Sequence, residues 1–339
     1  MPASPDFLTA FTISFEAIGR LFLVALVGFI AVRRNLVSQQ GVDGLVRLMI
    51  DLIVPCALSV SMIKGFRLEI LSEAWPLILV PAIFLPASAM LSLLYFRLWP
   101  GDNPQADRAL SALSAIPNSF YIPLPLAIAV TPPEHHVLVG VLIGAAVLAV
   151  NPLQWTMGTF MVMGDSARKV ATVATSLRQA LNGPVIGVVG GVLLSFLPGF
   201  PEAARAEAGS FMPLRMLLRA MELAGSAMPP LAMILTGALI AKCELRRAIS
   251  VRRVLPVLAM RFLITPGLVL LAIRGGLLPV SGLPAFILML VAASPPAMNL
   301  ALAAKRYDGD WSIISGVQLV ASLVALAALP IWMSIGLLL

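Results

Sequence analysis

One apolar stretch of the chain carries Pro117, Asn118, Ser119, Pro123 and Pro125 within nine residues. A regular helix cannot run through it, because each proline lacks an amide hydrogen and clashes with the carbonyl four residues earlier. Non-helical backbone at membrane depth must face protein or a water-filled cavity. The Asn118 side chain offers such a cavity both a donor and an acceptor. The stretch therefore predicts a polar binding site, with a proline-kinked packing helix as the alternative.

A second stretch, residues 294–299, places Pro295 and Pro296 shortly before Asn299. If two interrupted helices meet inside a membrane, the N-terminal ends of their second halves come together. Such ends offer unpaired N–H groups and positive partial charge, which suit an anion. We therefore predict an anion site at the bilayer midplane. Its predicted substrate-binding residues are Asn118, Ser119, Pro123, Pro125, Pro295, Pro296 and Asn299.

Both stretches belong to a repeat in which five landmarks recur in the same order 175 to 181 residues later. The pairs are Pro55 and Pro230, Pro76 and Pro256, Pro86 and Pro266, Asn118 and Asn299, and Pro152 and Pro330. If each copy holds five membrane helices, an odd number, the second copy is inverted relative to the first. Inverted repeats with interrupted helices and a midplane site are typical of secondary transporters.

Composition independently indicates an all-α polytopic membrane protein. Hydrophobic residues make up 60% of the chain and charged residues 12%, against about 25% charged residues in soluble domains. The short linker 164–176 divides the chain into a first five-helix repeat, 11–163, and an inverted second repeat, 177–338. Hydropathy and helix-breaking residues predict ten membrane helices, near residues 11–32, 42–63, 74–97, 107–130, 136–163, 177–197, 213–241, 252–274, 284–304 and 310–338.

The distribution of positive charge predicts the orientation in the membrane. Thirteen Lys and Arg residues lie in the loops after the odd-numbered helices, and four lie in the opposite loops and termini. Loops rich in Lys and Arg are cytoplasmic, so both termini are predicted to lie on the opposite side of the membrane. Because the net charge of +7 is concentrated in these loops, we expect a lipid bilayer as partner and no nucleic acid.

A few charged residues lie within the predicted helices. Arg261 is near the middle of helix 8, where a functional role is the default for a charged residue, and pairing with backbone carbonyls is the alternative. Arg47 and Asp51 of helix 2 are four residues apart and are predicted to pair on one face, although Asp51 could instead be an ion or proton site. Arg219 and Glu222 of helix 7 are predicted to pair in the same way.

The sequence carries no pattern for an enzyme, a metal site or a cofactor. His135 and His136 are adjacent and therefore point to different faces, and no cysteine or second histidine pair completes a metal site. Walker A, HExxH and GxSxG motifs are absent from the sequence. Cys56 and Cys243 lie in different halves, so we expect no disulfide.

These motifs resemble the auxin efflux carrier family, which includes the plant PIN transporters and many bacterial carriers. Residues 117–126 are similar to the family's Pro-Asn-Thr…Gly-Ile-Pro-Leu stretch in helix 4, although Pro123 stands where the family often has Gly. Residues 261–266 resemble its Arg-Phe-Leu…Pro motif in helix 8. Residues 304–307, followed by Ser315 and by Leu329 and Pro330, resemble the end of the family pattern. The resemblance covers almost the whole chain and implies a fold like that of the bile acid/sodium symporters. It also implies a bacterial inner membrane, in which the predicted orientation makes both termini periplasmic.

The resemblance also implies that the helices form two domains with different roles. A scaffold would comprise 11–63 and 177–241, and a transport domain would comprise 74–163 and 252–338, in which broken helices 4 and 9 cross. The implied function is alternating-access transport of small organic anions, auxin-like or dicarboxylates such as malonate, with Arg261 giving electrostatic support. A sodium-coupled symporter of the bile-acid type is the alternative. A homodimer through the scaffold helices is a further expectation.

Overall fold

The computed structural model describes residues 6–101, 103–170, 180–205, 211–241 and 251–339. Throughout these ranges the regular structure is helical, and Pro117 and Pro296 form an isolated antiparallel bridge. Within them, seven helical spans are long and apolar enough to cross a membrane, and two further apolar helices are shorter. The chain is therefore a multi-pass membrane protein.

The main helical elements follow one another with short connections. They are α1 (Phe7–Arg33), α2 (Gln40–Gly65), α3 (Leu68–Leu98), α4 (Pro104–Ala115), α5 (Pro123–Val130), α6 (Pro133–Val162), α7 (Gly183–Ser195), α8 (Met212–Ala241), α9 (Val251–Arg274), α10 (Gly282–Ala293), α11 (Asn299–Arg306) and α12 (Trp311–Leu337). Predicted helix 4 corresponds to α4 and α5, and predicted helix 9 corresponds to α10 and α11. The start of predicted helix 6 and the residue Cys243 lie outside the described residues.

Asparagine caps fix the starts of two of these helices. α4 begins after Asn103, whose side-chain oxygen accepts a hydrogen bond from Gln105 N at 3.0 Å. α7 begins after Asn182, whose side-chain oxygen accepts from Val185 N at 3.4 Å. Asparagine is among the best N-cap residues, and proline, which both helices carry at their start, is favoured in the first turn.

Three membrane helices contain a π-helical turn. These turns are Met49–Ile53 in α2, Gln154–Gly158 in α6 and Met260–Ile264 in α9. Pro55 and Pro266 follow two of them directly. A proline clashes with the carbonyl four residues earlier, and the wider π turn relieves that clash. A π turn also rotates the following residues around the helix, which changes the side chains that can pair.

Glycines allow α1 and α8 to touch backbone to backbone. A Cβ atom on Gly28 would lie 1.8 Å from Ile234 O, and one on Gly237 would lie 1.7 Å from Ala25 O. Small residues at such positions let membrane helices approach closely and pack by van der Waals contact. This reciprocal contact fixes α1 against the second half of α8.

A second close contact joins α2 and α7. Gly183, Gly187 and Gly191 are four residues apart and share one face of α7. A Cβ atom on Gly187 would lie 2.7 Å from Pro55 Cα, and Ser59 Oγ donates to Gly187 O at 2.9 Å. The contact brings the N-terminal end of α7 to the candidate site.

Candidate functional site

The two proline-rich stretches lie against each other as non-helical segments, residues 116–122 and 294–298, which we call the bridge segments. They run antiparallel and are joined by main-chain hydrogen bonds, the shorter of which runs from Asn118 N to Pro295 O at 2.8 Å. Prolines prevent these residues from bonding as a helix. The bridge instead satisfies buried main-chain groups that would otherwise cost free energy.

The two polar atoms of the Asn118 side-chain amide have different roles: the oxygen binds the backbone, and the nitrogen has no partner among the described residues. Its Oδ1 atom accepts hydrogen bonds from Tyr121 N at 2.9 Å and from Phe120 N at 3.3 Å, just before α5. Its Nδ2 atom is buried and has no hydrogen-bond partner among the described residues. The side chain is 2% exposed. A buried donor without a partner is costly, so Nδ2 is a ready contact for a ligand acceptor.

Asn118 lines a cavity of about 400 Å³, a volume that includes its open mouth. None of the described residues that line this cavity is charged. It combines amide side chains with aromatic surfaces, as small-molecule sites commonly do. The amide residues are Asn118, Asn151, Gln154 and Asn299, and the aromatic residues are Phe120, Tyr121 and Trp155.

Gln154 contributes a second unpaired donor to this cavity. It is 5% exposed and stands at the start of the π turn in α6, and its Nε2 atom has no partner among the described residues. Neighbouring Asn151 is already paired, since it exchanges two hydrogen bonds of 3.2 Å with Asn182 at the start of α7. The free donors of the cavity therefore come from the bridge and from α6.

Asn299 and Tyr121 form a wall of the same cavity. Asn299 is the first residue of α11, is partly buried, and interacts with the Tyr121 hydroxyl. Both residues also line a second cavity of about 280 Å³, together with Met49 and Thr236. The Asn299 and Tyr121 side chains therefore lie between the two cavities.

The other predicted site residues occupy different places. We call the cavity lined by Asn118, Asn151, Gln154 and Asn299 the amide cavity. Ser119 is buried and lines it. The four predicted prolines are also buried, but they do not line it. Arg261 pairs with main-chain carbonyls, which is the alternative given for it from the sequence, and its support of the substrate stays a prediction. Its side chain is fully buried, donates to main-chain carbonyls, and lines a separate cavity with Pro117 and Thr265. Arg261 does not line the cavity of Asn118.

The structure treats the two predicted ion pairs differently. Arg47 and Asp51 are both exposed, and no ion pair joins them in the part of the chain that the structure describes. The π turn at residues 49–53 explains this correction, because it rotates Asp51 away from the position that an α-helix would give it. Arg219 Nη1 lies 2.9 Å from Glu222 Oε2. Neither member of this second pair lines a described cavity.

The sequence analysis did not predict that α6 contributes residues to the cavity, or that Phe120 and Tyr121 line it. Asn151 and Gln154 are three residues apart and therefore share a helix face, in a segment that is otherwise almost entirely apolar. That spacing was the available signal. Glu222 also pairs with Lys64 at the end of α2, a contact between helices that spacing along one helix cannot indicate.

An internal polar cavity inside a bundle of membrane-crossing helices is the architecture of a transport protein. The chain belongs to the membrane transport protein family (Mem_trans), whose family model matches residues 13–333. This is the auxin efflux carrier family that the Pro-Asn and Arg-Phe-Leu motifs resemble.

Two plant relatives share part of the sequence. The chain is 29% identical to Protein PIN-LIKES 5 of Arabidopsis thaliana over 164 residues. It is 32% identical to Protein PIN-LIKES 7 of the same plant over 165 residues. Each match covers 47% of this chain and 40% of the relative. The similarity therefore extends over less than half of the length of either relative.

Proposed function

We propose that the protein is a secondary carrier, not an enzyme, that moves small organic anions by alternating access. A carboxylate of the substrate would accept hydrogen bonds from Asn118 Nδ2 and Gln154 Nε2. The observation that carries this proposal is that both donors are buried, lack partners among the described residues and line one cavity. Hydrogen bonds to a charged acceptor are the stronger kind.

The proposed architecture is two inverted five-helix repeats, 11–163 and 177–338, with broken membrane helices that cross at the bridge segments. The glycine contacts support the repeat. Exchanging the halves converts the contact of α1 with α8 into the contact of α7 with α2. These four helices make up the proposed scaffold, residues 11–63 and 177–241.

In this proposal, residues 74–163 and 252–338 move relative to the scaffold and carry the amide cavity from one side to the other. The excess of Lys and Arg in the odd-numbered loops supports a bacterial inner-membrane location with both termini periplasmic. In this proposal, exposed apolar residues of the scaffold helices form the interface of a homodimer. α2 and α8 present such residues, including Leu48, Leu52, Leu217 and Leu223.

A thermal-shift screen of the purified protein against mono- and dicarboxylates tests the proposal. A ligand that binds only the folded state at about 100 times its Kd adds roughly 2.7 kcal/mol of stability. We expect at least one carboxylate to raise the Tm with saturation, and the same compound to accumulate in proteoliposomes. If no carboxylate raises the Tm and amines or neutral analogues do, the assignment to anions is wrong.

Gln154→Met is expected to weaken binding of that carboxylate by roughly 1.5–3 kcal/mol, which is the range for a hydrogen bond to a charged group. The Tm without ligand should not fall, because Nε2 has no protein partner to lose in the described structure. Thermal shift and isothermal titration measure the two effects separately.

Gln318→Met is the matched control. Gln318 is equally buried, but its Nε2 atom donates to Ala297 O of the second bridge segment at 2.7 Å. This variant should lose stability without ligand, by about 1–3 kcal/mol for a carbonyl left unsatisfied. If Gln154→Met also destabilises the free protein and leaves affinity unchanged, Gln154 is a structural residue.

A further inference from the structure

Arg261 is one of the largest fully buried side chains of the described residues, and its guanidinium group is surrounded by main-chain carbonyls. Nη2 donates to Ala292 O at 2.8 Å and to Ser294 O at 2.9 Å. Nε donates to Ser294 O at 3.2 Å, and Nη1 donates to Ala115 O at 3.3 Å. These carbonyls lie at the C-terminal ends of α4 and α10, so one cation holds two helix ends together.

The C-terminal end of a helix carries negative partial charge on its unpaired carbonyls. In transporters with interrupted helices, such carbonyl ends and unwound backbone coordinate the coupling Na⁺ or H⁺. We propose that Arg261 is a resident cation, which permanently occupies the place where a sodium-coupled carrier would bind its ion. We call the carbonyls of Ala115, Ala292 and Ser294 the carbonyl cage. That Arg261 occupies this cage does not depend on the proposed substrate. The consequence for ion-coupled transport rests on the proposed carrier function.

Three other bridge carbonyls also accept hydrogen bonds from protein donors. Pro295 O accepts from Asn118 N at 2.8 Å, and Ile116 O accepts from Ala297 N at 3.0 Å. Ala297 O accepts from Gln318 Nε2 at 2.7 Å. A metal cation could use the carbonyls around Arg261 or these three oxygens only by displacing the guanidinium, a backbone amide or the Gln318 side-chain amide.

The charge of Arg261 is balanced by helix ends and not by a carboxylate. Among the described residues that line the adjoining cavity, none is Asp or Glu. The bridge therefore keeps a fixed positive charge throughout the cycle. The consequence for transport is that no metal cation binds with the anion at the carbonyls that Arg261 occupies, so this place adds no moving cation to the charge of the anion.

Chemical rescue of Arg261→Ala tests this assignment. The variant removes the guanidinium and most of its side chain next to an existing small cavity, and the space left would receive a soluble probe of the same chemistry. We expect the Tm to fall by about 10 °C, because three carbonyls lose donors. Ethylguanidinium should restore much of this loss, and Na⁺ should stabilise the variant but not the parent. N-methylglucamine at equal ionic strength should do neither.

Arg253→Ala is the control, because Arg253 lies in the same helix but is partly exposed and pairs with Asp107 at 3.5 Å. Neither ethylguanidinium nor Na⁺ should rescue it. If Na⁺ and ethylguanidinium leave the Tm of Arg261→Ala unchanged, the cage is not a cation site and the proposal is overturned.

Binding of ²²Na⁺ to the parent protein, measured by scintillation proximity, decides the question even if Arg261→Ala does not fold. We expect no saturable binding, and saturable binding would overturn the proposal. These assays contain no organic anion, so their outcome is independent of the carboxylate screen. A negative screen with the expected cation results would reject the proposed function alone.

Discussion

Asn118→Asp is expected to abolish anion binding while the protein remains folded. Aspartate retains the oxygen that accepts from Phe120 N and Tyr121 N, and it caps helices as well as asparagine does. Those two N–H donors favour the ionised carboxylate. The variant therefore presents negative charge in place of the Nδ2 donor. Affinity for the carboxylate found by screening should fall by at least about 100-fold, since a strong hydrogen bond is replaced by repulsion.

Isothermal titration measures this loss, and a thermal scan without ligand should give a Tm close to that of the parent. Asn182→Asp is the matched control, because Asn182 also caps a helix but does not line the cavity. It loses its donor bond to Asn151 and should therefore lose stability while affinity changes little. If Asn118→Asp binds as the parent does, the bridge is not the substrate site.

Asn118→Asp is a sharper test than Asn118→Ala, because it removes the Nδ2 donor and keeps the oxygen that caps the backbone. Alanine would remove both functions, and loss of the cap alone costs about 1 kcal/mol of stability. The amino-acid sequence indicates that Asn118 matters but not which of its two side-chain atoms serves the backbone. That assignment depends on the turn between Asn118 and Tyr121, which only the folded chain defines.

Prolines made the location of the bridge segments predictable. Their effect on helices is local and holds whatever the tertiary structure is, and the non-helical residues 116–122 and 294–298 fall within the two proline-rich stretches. Charged residues are a weaker guide to helix ends: α3 begins at Leu68, six residues before the predicted start at 74, because Glu69 and Glu73 belong to the helix.

The lining of the cavity was less predictable, because it depends on contacts between distant helices. Gln154 reaches the cavity only because α6 packs beside the bridge segments, and no motif marked it. Arg261 had two open interpretations, and only the folded structure could show that carbonyls from α4 and α10 surround it. The π turn at 49–53 misled the pairing of Arg47 with Asp51, since an i, i+4 rule assumes a regular α-helix.

The relation between the two halves rests on packing as well as on motif spacing. The inverted repeat stays a prediction, and the glycine contacts give it a physical test. If the scaffold is held together by backbone contact of α1 with α8, a single methyl group at that contact should be enough to disrupt it. The same methyl group on a face of α1 that packs against nothing should be harmless.

Gly237→Ala is therefore expected to lower the Tm by about 2–5 °C, since overpacking a tight contact costs roughly 1–3 kcal/mol or more. The added Cβ would lie 1.7 Å from Ala25 O, a backbone atom that cannot move without shifting α1. Gly19→Ala is the matched control on α1, because no atom lies within 4 Å of the Cβ that it would add. Its Tm should equal or slightly exceed that of the parent, given the higher helix propensity of alanine.

The double variant Gly28→Ala with Gly237→Ala makes the test specific to the α1–α8 contact. A Cβ on Gly28 would meet Ile234 O at 1.8 Å across the same pair of helices. Once the first methyl group has separated the helices, the second meets less resistance, so the two losses should be less than additive. Fully additive losses would mean that the two sites yield independently. If Gly237→Ala were as stable as Gly19→Ala, the two backbones could not be in contact, and the symmetry argument for the scaffold would lose one of its two supports.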